Sequence, residues 1–322
     1  MSRYGMSIPF DLPLPAHRDL FLEMADCGYT DFWSSEANGS DGFTPLVLAA
    51  AWVPKVRLGI AIIPAYTRGP GLLAMSVAAM AEAAPGRFVM GLGTSSNVIV
   101  EQWNATAFDR PYQRVRDTLR FLRKALANEK VSEEFETFAV TGFKLARPVA
   151  EPPKILLAAL RGGMLRLAGR EADGAILNWL SPDDVRTVTP HVHAGGDGKE
   201  IVARIFVCPT TDRARALAIG KRAIAAYLNV PVYAAFHDWL GRGDRLRPMW
   251  DAWQKGDRKA ALEGIPDDLV DELIVHGRPE ACRERIASYV ESGVHTPALA
   301  LMDAGDGGDL RQTLRALSPQ GG

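Results

Sequence analysis

The chain has 322 residues, of which 47% are hydrophobic and 23% charged, with a formal net charge of -1. This composition is typical of a globular protein, and the charge lacks the basic excess that nucleic acids or anionic membranes attract. Cys27, Cys208 and Cys282 lie far apart without a CxxC pair, which argues against a disulfide framework and a zinc site. The amino-terminal residues do not follow the pattern of a secretion signal, and no run of about 18 apolar residues occurs. We therefore expect a cytoplasmic protein with no membrane or nucleic-acid partner.

Short apolar runs alternate with amphipathic segments, and Gly, Pro and Asp mark the junctions. The runs predict eight strands, at 4–10, 30–35, 56–63, 88–94, 154–160, 174–180, 202–209 and 297–302. The segments predict helices at about 16–27, 43–53, 70–84, 111–127, 163–172, 183–190 and 212–229, and one after Asp309. Eight β/α units predict one α/β domain, a (β/α)8 TIM barrel spanning residues 1–322.

Two segments depart from this alternation. Residues 129–153 contain FAVTGFKLARP, whose apolar positions alternate around Thr141 and Gly142, and this pattern predicts a hairpin excursion. Residues 230–296 are rich in Trp and charge, and we predict that they form an all-helical insertion before the last strand. We expect this insertion to supply part of the wall of any pocket at the barrel mouth.

The carboxyl ends of the strands carry the chemistry in such a barrel, so the loops that follow them are candidate sites. After the second strand, Glu36 and Asn38 offer hydrogen-bonding groups for a polar ring, whereas Asp41 suits either that role or a helix cap. After the third strand, the small Ala61 allows a flat ring to approach the backbone. The same aliphatic run is also what a buried central strand requires.

Two glycine-rich loops each precede a helix. The first, in MGLGTSSNVIVEQW, contains Thr94, Ser95 and Ser96, and the second is Arg161-Gly162-Gly163. Free backbone N–H groups at a helix start bind anions, although Thr94 or Ser96 would equally serve as a cap. Neither loop has the GxGxxG or GxxxxGK[ST] spacing. Two such loops on one barrel face predict a long, phosphorylated cofactor.

Other catalytic classes find no support in the sequence. The six histidines are scattered, with no HExxH or facial-triad spacing, and no GxSxG nucleophile motif occurs. We therefore predict no metal. Trp103 and Trp179 lie close to site loops, where an indole can stack on a planar substrate, although tryptophans more often belong to cores or interfaces.

Several segments together resemble the bacterial luciferase-like oxidoreductases, and more closely the branch that uses the deazaflavin coenzyme F420. They are SEANGSDGFTPL, RLGIAIIPAYTRGP, RFVMGLGTSSNVIVEQWNATAFDRP, ILLAALRGGMLRLAGREADGAILNW and GVHTPALAL. The resemblance implies a barrel that holds the deazaflavin at the carboxyl ends of the strands. It also implies a bulged third strand with a non-proline cis peptide, which here would join Ala61 to Ile62.

The resemblance also assigns residues. Cofactor contacts map onto Glu36, Asn38, Ala61, Ile62, Thr94, Ser95 and Ser96 at the ring and ribityl end, and onto Ala159, Arg161, Gly162, Gly163, Met164 and Asn178 at the phosphate end. The implied reaction is hydride transfer between the deazaflavin C5 and an enone, imine or carbonyl carbon. Glu36, Tyr66 and Glu101 are the candidate proton donors, and a homodimer is common in the family.

The chain departs from the family at two places. Sugar-phosphate dehydrogenases of this branch carry a histidine where Ala37 or Asn38 stands, which argues against that activity. Arg161-Gly162-Gly163 replaces a common Gly-Pro, and the added guanidinium is compatible with a phosphate. Two alternatives remain: an FMN-dependent monooxygenase that uses oxygen, and a non-catalytic barrel that binds a flavin or a deazaflavin.

Overall fold

A computed structural model describes residues 3–304 and 309–320. The strands are β1 (Gly5–Ser7), β2 (Asp31–Ser34), β3 (Arg57–Ile60), β4 (Ile63–Pro64), β5 (Phe88–Gly93), β6 (Val131–Glu134), β7 (Ala139–Phe143), β8 (Lys154–Ala158), β9 (Gly174–Asn178), β10 (Glu200–Cys208), β11 (Ile274–His276) and β12 (Thr296–Leu301). The helices are α1 (His17–Asp26), α2 (Thr44–Trp52), α3 (Pro70–Ala83), α4 (Pro111–Leu126), α5 (Gly162–Glu171), α6 (Pro182–His193), α7 (Arg213–Leu228), α8 (Pro231–Trp239), α9 (Gly243–Gln254), α10 (Arg258–Glu263), α11 (Asp267–Leu273), α12 (Pro279–Glu291) and α13 (Leu310–Ala316).

Eight parallel strands close into a barrel. Their order is β1, β2, β3, β5, β8, β9, β10 and β12, and β12 pairs with β1 to complete the ring. Helices surround this sheet, and their apolar faces cover the outer side chains of the strands. The predicted (β/α)8 barrel is therefore confirmed. The predicted hairpin excursion forms as the antiparallel pair β6–β7, but its turn lies at residues 135–138, and Thr141 and Gly142 lie within β7. No helix in the described parts of the chain is both long enough and apolar enough to cross a bilayer.

One detail differs from the prediction, and a second agrees with what the sequence resemblance implies. The 230–296 insertion is not all helical, because Ile274–His276 forms β11, which pairs in parallel with Phe206–Cys208 at the end of β10. β10 extends past the end of β9 there, so its backbone is available to pair with this short apolar segment. The third strand is also interrupted, because the peptide between Ala61 and Ile62 is cis and separates β3 from β4.

Trp33 fills the inside of the barrel. Its indole is 2% exposed and stands opposite Gly59 on the neighbouring strand. A Cβ atom at Gly59 would lie 2.3 Å from the ring, and one at Gly5 on the other side would lie 2.9 Å from the indole nitrogen. Glycine on both flanking strands therefore leaves the volume that the indole occupies. The rest of this layer is apolar and consists of Val89, Leu156, Ile176, Val202 and Ala298.

Below Trp33, a buried ionic network closes the amino-terminal end of the barrel. Arg57 donates to the carboxylate of Asp31, to that of Glu200 at 2.6 Å and to the hydroxyl of Thr296 at 3.0 Å. These residues begin four different barrel strands. Burial opposes the ionisation of Glu200, but the hydrogen bond and charge of Arg57 outweigh it and hold the pKa of Glu200 below its ordinary value.

We predict that Arg57→Met lowers the free energy of unfolding by about 3–5 kcal/mol, because it removes the buried cation that Asp31 and Glu200 share and leaves them only the longer contacts with the more exposed Arg3 and Lys154, while nearly preserving volume. Urea denaturation measures this change. The control is Arg186→Met, which removes an exposed ion pair with Asp183 and should cost no more than about 1 kcal/mol. Equal effects of the two substitutions would contradict the importance of the network.

Candidate active site

The carboxyl ends of the barrel strands surround a small pocket above Trp33. The pocket is lined by Ser7, Trp33, Ser34, Ser35, Ala61, Ile176, Val202, Arg204 and Ala298. The cis peptide between Ala61 and Ile62 lies at this mouth, at the position that the sequence resemblance implies. The Ala61 amide donates to the Ser34 carbonyl at 2.7 Å, and this bond ties the bulge to β2. The mouth therefore presents partly exposed backbone to the pocket.

Glu36 lies in the loop after β2 and binds Arg68. Both carboxylate oxygens accept hydrogen bonds from the guanidinium, at 2.5 and 2.6 Å. The carboxylate also accepts from the Gly42 amide at 3.1 Å and the Thr67 hydroxyl at 3.2 Å. Glu36 thus joins the β2 loop to the loop after β4.

Two further residues of the β2 loop were candidates from the sequence. The Asp41 carboxylate accepts hydrogen bonds from the amides of Phe43 and Thr44, so it takes the capping role at α2. Asn38 lies exposed on the same loop.

Tyr66 is buried, and its hydroxyl donates to the Asp109 carbonyl at 2.6 Å. Burial, with the Asp109 charge second, raises the pKa of Tyr66 to about 12. The Phe108 ring packs on Tyr66 with centroids 5.2 Å apart, and the Arg114 guanidinium lies 5.5 Å from its centroid. The raised pKa keeps Tyr66 protonated, and the Asp109 carbonyl oxygen accepts its proton in a hydrogen bond.

The loop after β5 contains Thr94, Ser95 and Ser96 and leads into a π-helical turn, Val98–Trp103. Ser95 has a left-handed backbone, with φ of 64°. The Ser96 hydroxyl accepts weakly from the Ile99 amide at 3.4 Å, which is the capping contact considered from the sequence. Further along the turn, Glu101 is exposed and accepts only from the Phe108 amide, at 3.3 Å.

Trp103 and Trp179, the two candidate substrate contacts, lie in different surroundings. Trp103 is 53% exposed at the end of the π-helical turn. Trp179 is fully buried and stacks on Phe206, with ring centroids 4.1 Å apart, and also packs against Tyr227. Its ring therefore has no accessible face for a substrate in this conformation.

The second glycine loop leads directly into α5. Arg161 precedes the helix in extended conformation, and no side chain caps the helix start. A Cβ atom at Gly163 would have nothing within 4 Å, so open space lies beside the first turn. Gly162 and Met164 are half-buried, and Ala159 is buried at the base of the loop. The uncapped amides and the Arg161 guanidinium together are suited to bind an anion.

Asn178, at the end of β9, meets a residue that the sequence analysis did not select. Its Nδ2 donates to the Tyr233 hydroxyl at 2.9 Å, whereas its Oδ1 is buried without a partner among the described residues. Burial raises the pKa of the Tyr233 phenol. Tyr233 comes from α8 in the insertion, and no local pattern marks it because the contact spans 55 residues.

Arg204 is the second residue that the sequence analysis missed. It lines the mouth pocket. Its position in the apolar run VARIFVC could have marked it as a candidate binding residue, because charged side chains are seldom buried in a strand unless they are paired. Within residues 3–304 and 309–320, no cluster of three or more His, Cys, Asp or Glu side chains could hold a metal ion. The candidate site therefore consists of backbone amides, hydroxyls, one amide side chain and guanidinium groups.

We predict that Arg68→Gln loosens the β2 loop, because Glu36 loses its two charge-assisted hydrogen bonds. Hydrogen–deuterium exchange of the Gly42 amide should become about tenfold faster. Arg147→Gln, which breaks an exposed ion pair with Glu82, is the matched control and should leave that amide unchanged. Unaltered exchange at Gly42 in Arg68→Gln would show that the ion pair does not hold the loop.

Known proteins share this sequence and architecture. A protein of Mycobacterium tuberculosis named as a coenzyme F420-dependent oxidoreductase is 27% identical over 310 residues, which cover 88% of this chain and 89% of the relative. The 5,10-methylenetetrahydromethanopterin reductase of Methanolobus tindarius is 25% identical over 279 residues, covering 83% and 84% of the two chains. The structure of the coenzyme F420-dependent tetrahydromethanopterin reductase of Methanopyrus kandleri has the same fold, with a TM-score of 0.82 at 20% identity, and the match covers 99% of this chain and 98% of that one.

A family model settles the affiliation. The model described as luciferase-like monooxygenase matches residues 3–296, which include every barrel strand except most of β12. The match spans the β2 loop, the cis peptide and both glycine loops. It confirms the resemblance drawn from the sequence motifs. The chain belongs to the luciferase-like monooxygenase family.

Proposed function

We propose that the protein is an oxidoreductase that uses coenzyme F420 and exchanges a hydride with an enone, imine or carbonyl compound. The observation that carries this proposal is that the small pocket lined by Ala61 and the uncapped start of α5 lie on one face of the barrel. The small Ala61 leaves room for a flat ring, and the start of α5 offers free amides to a phosphate. The names of the two relatives above support the choice of cofactor.

The residues present fit this cofactor at its phosphate end. Gly162, Gly163 and Met164 supply amides, Arg161 supplies a guanidinium, and the space beside Gly163 is open. A long side chain at Gly163 would extend into this open space. Thr94 and Ser96 on the neighbouring loop add hydroxyl groups toward the ribityl chain.

The ring end fits as well. Ala61 and Ile62 support the ring through backbone, and Ser95 lies on the adjoining loop with its strained φ of 64°. Asn178, which the resemblance places at the phosphate end, has a buried Oδ1 without a partner among the described residues, and a cofactor hydroxyl or N–H group would satisfy it. Glu36 and Asn38 form the loop that borders this end.

When bound, the deazaflavin supplies hydride exchange at C5, and the protein orients the reactants and excludes water. Among the candidate proton donors, Glu36 is occupied by Arg68 and positions the β2 loop, and Tyr66 keeps its proton on the Asp109 carbonyl. Glu101 is exposed, and among the described residues its carboxylate accepts one hydrogen bond, from the Phe108 amide, so it is the candidate least engaged by the protein. Trp103, exposed on the same turn, is the proposed aromatic contact for the substrate.

The proposal predicts that the purified protein quenches the fluorescence of F420 and binds it more tightly than FMN. Gly163→Glu should weaken F420 binding by about tenfold or more, because its carboxylate would repel the cofactor phosphate. Gly163→Ala is the control and should change affinity less than about twofold, because its Cβ meets no atom within 4 Å.

Three results would contradict the assignment. Tighter binding of FMN, with oxygen uptake by the reduced flavin, would favour a monooxygenase. Equal affinities of Gly163→Glu and Gly163→Ala for F420 would contradict the binding of its phosphate at the start of α5. Tight F420 binding without turnover of any enone, imine or carbonyl compound would favour a non-catalytic carrier.

We propose further that two copies of the chain form a homodimer through α2 and α3. The two helices pack side by side, and three large apolar side chains on them are exposed: Val47 at 46%, Leu72 at 54% and Met75 at 50%. The sequence of α2, TPLVLAAAW, is apolar all round, which is typical of a helix covered on more than one face. Exposed apolar clusters of this kind mark interaction surfaces.

The dimer proposal predicts that the double variant Leu72→Glu, Met75→Glu sediments as a monomer, because two buried carboxylates would lack partners across the interface. The wild-type chain should sediment as a dimer in the same analytical ultracentrifugation experiment. Val290→Glu, at an exposed apolar position on α12, is the control and should remain dimeric. A monomeric wild-type protein would overturn the proposal.

A further inference from the structure

A second cavity, of about 270 Å³, lies beside the mouth pocket. Its wall is formed by residues 6–11 at the end of β1, by Leu20 and Met24 of α1, by Arg204, by Ala300 and Leu301 of β12, and by Leu310 and Leu314 of α13. Since a dry cavity of about 150 Å³ admits benzene, this one has room for a larger apolar body. None of the residues selected from the sequence lines it.

Arg204 joins this cavity to the mouth pocket. Together with Ser7, it lines both spaces. Val202, two residues earlier on β10, belongs to the interior layer of the barrel, so the alternation of the strand turns Arg204 toward the same side. A molecule that fills the cavity and touches Arg204 therefore also reaches the pocket that contains Ala61.

Arg204 is half-buried, and its guanidinium has no hydrogen-bond acceptor in the part of the chain that the structure describes. Its carbon lies 4.9 Å from the centroid of Phe206 and 5.9 Å from that of Phe10. Across the described residues, no carboxylate lies within the 4 Å of an ion pair and no hydrogen bond engages this group. Asp11 is the described acidic residue on the cavity wall, but it is exposed and forms no ion pair with Arg204.

This arrangement selects for one kind of ligand. A guanidinium has five N–H donors in a planar fork that matches a carboxylate, and two aromatic rings hold this one in place. The remaining wall is mainly Leu, Ile, Met, Pro and Ala, which favours an apolar body. An apolar molecule with a single carboxylate satisfies both features at once.

We propose that this cavity binds the substrate of the enzyme, that the substrate is an apolar monocarboxylate, and that Arg204 binds its carboxylate. The inference rests on the proposed function, because the mouth pocket that Arg204 borders is there assigned to the deazaflavin. Arg204 is thus a binding and specificity-determining residue. The anion would direct the apolar body into the cavity and leave the reacting carbon toward the mouth.

The test compares two probes of equal shape, cyclohexanecarboxylate and cyclohexanecarboxamide, by isothermal titration calorimetry of the full-length protein with and without F420. We expect the wild type to bind the carboxylate about tenfold or more tightly than the amide, as a charge-assisted pair requires. Arg204→Gln should abolish this preference and leave amide binding unchanged. Arg222→Gln, at an exposed position on α7, changes the net charge equally and should preserve it.

A second variant tests the cavity separately from the charge. Leu310→Trp places an indole in the cavity and should weaken both probes by about tenfold or more, since it removes the space for the cyclohexyl group. Its circular dichroism spectrum and F420 quenching should match those of the wild type.

The outcomes separate this inference from the proposed function. Normal F420 quenching with equal binding of the two probes, or with binding that Arg204→Gln does not alter, overturns the inference and leaves the function standing. Preference for the carboxylate without F420 quenching supports the site and overturns the cofactor assignment. Unchanged binding of both probes to Leu310→Trp would show that the probes do not bind in the cavity, which overturns the inference.

Discussion

The buried guanidinium of Arg57 is the interaction on which the barrel depends. It joins the amino-terminal ends of four strands that lie on different sides of the ring, through Asp31, Glu200 and Thr296. Each of these polar groups would be costly to bury alone, and together they satisfy one another. Because this network and Trp33 above it fill the lower barrel, only the carboxyl-terminal mouth is left open. Every candidate functional group lies at that mouth.

The mouth is built mainly from backbone, and small residues make this possible. A Cβ atom at Gly91 would lie 1.9 Å from the Ile60 carbonyl oxygen, and one at Gly93 would lie 3.0 Å from the Ile62 side chain. The third and fourth barrel strands, β3–β4 and β5, therefore approach closely around the cis peptide. A site of this kind orients a flat group well but contains no acid–base pair, which agrees with a cofactor that carries the chemistry.

The polar side chains around the mouth form two groups. One group already has hydrogen-bond partners within the protein, and the other has unused donors or acceptors. Glu36 and Tyr66 are engaged by Arg68 and by the Asp109 carbonyl, so they stabilise loops. With respect to residues 3–304 and 309–320, the Oδ1 acceptor of Asn178 and the N–H donors of the Arg204 guanidinium form no hydrogen bond. A ligand can satisfy donors and acceptors that are half-buried and unused. Such groups are therefore candidates for binding, whereas groups with partners in the protein maintain the fold.

The eight β/α units and the glycine loops could be predicted from the amino-acid sequence, because the period of apolar residues and the glycines at loop starts are local signals. The family and the position of the cis peptide followed from the resemblance of short motifs to known proteins. The pairing of Ile274–His276 with β10, the contact of Tyr233 with Asn178, the burial of Trp179 and the lack of a hydrogen-bond acceptor for Arg204 among the described residues became visible only in the folded chain. Each of these depends on side chains brought together from distant parts of the chain, and such contacts leave no periodic trace in the sequence.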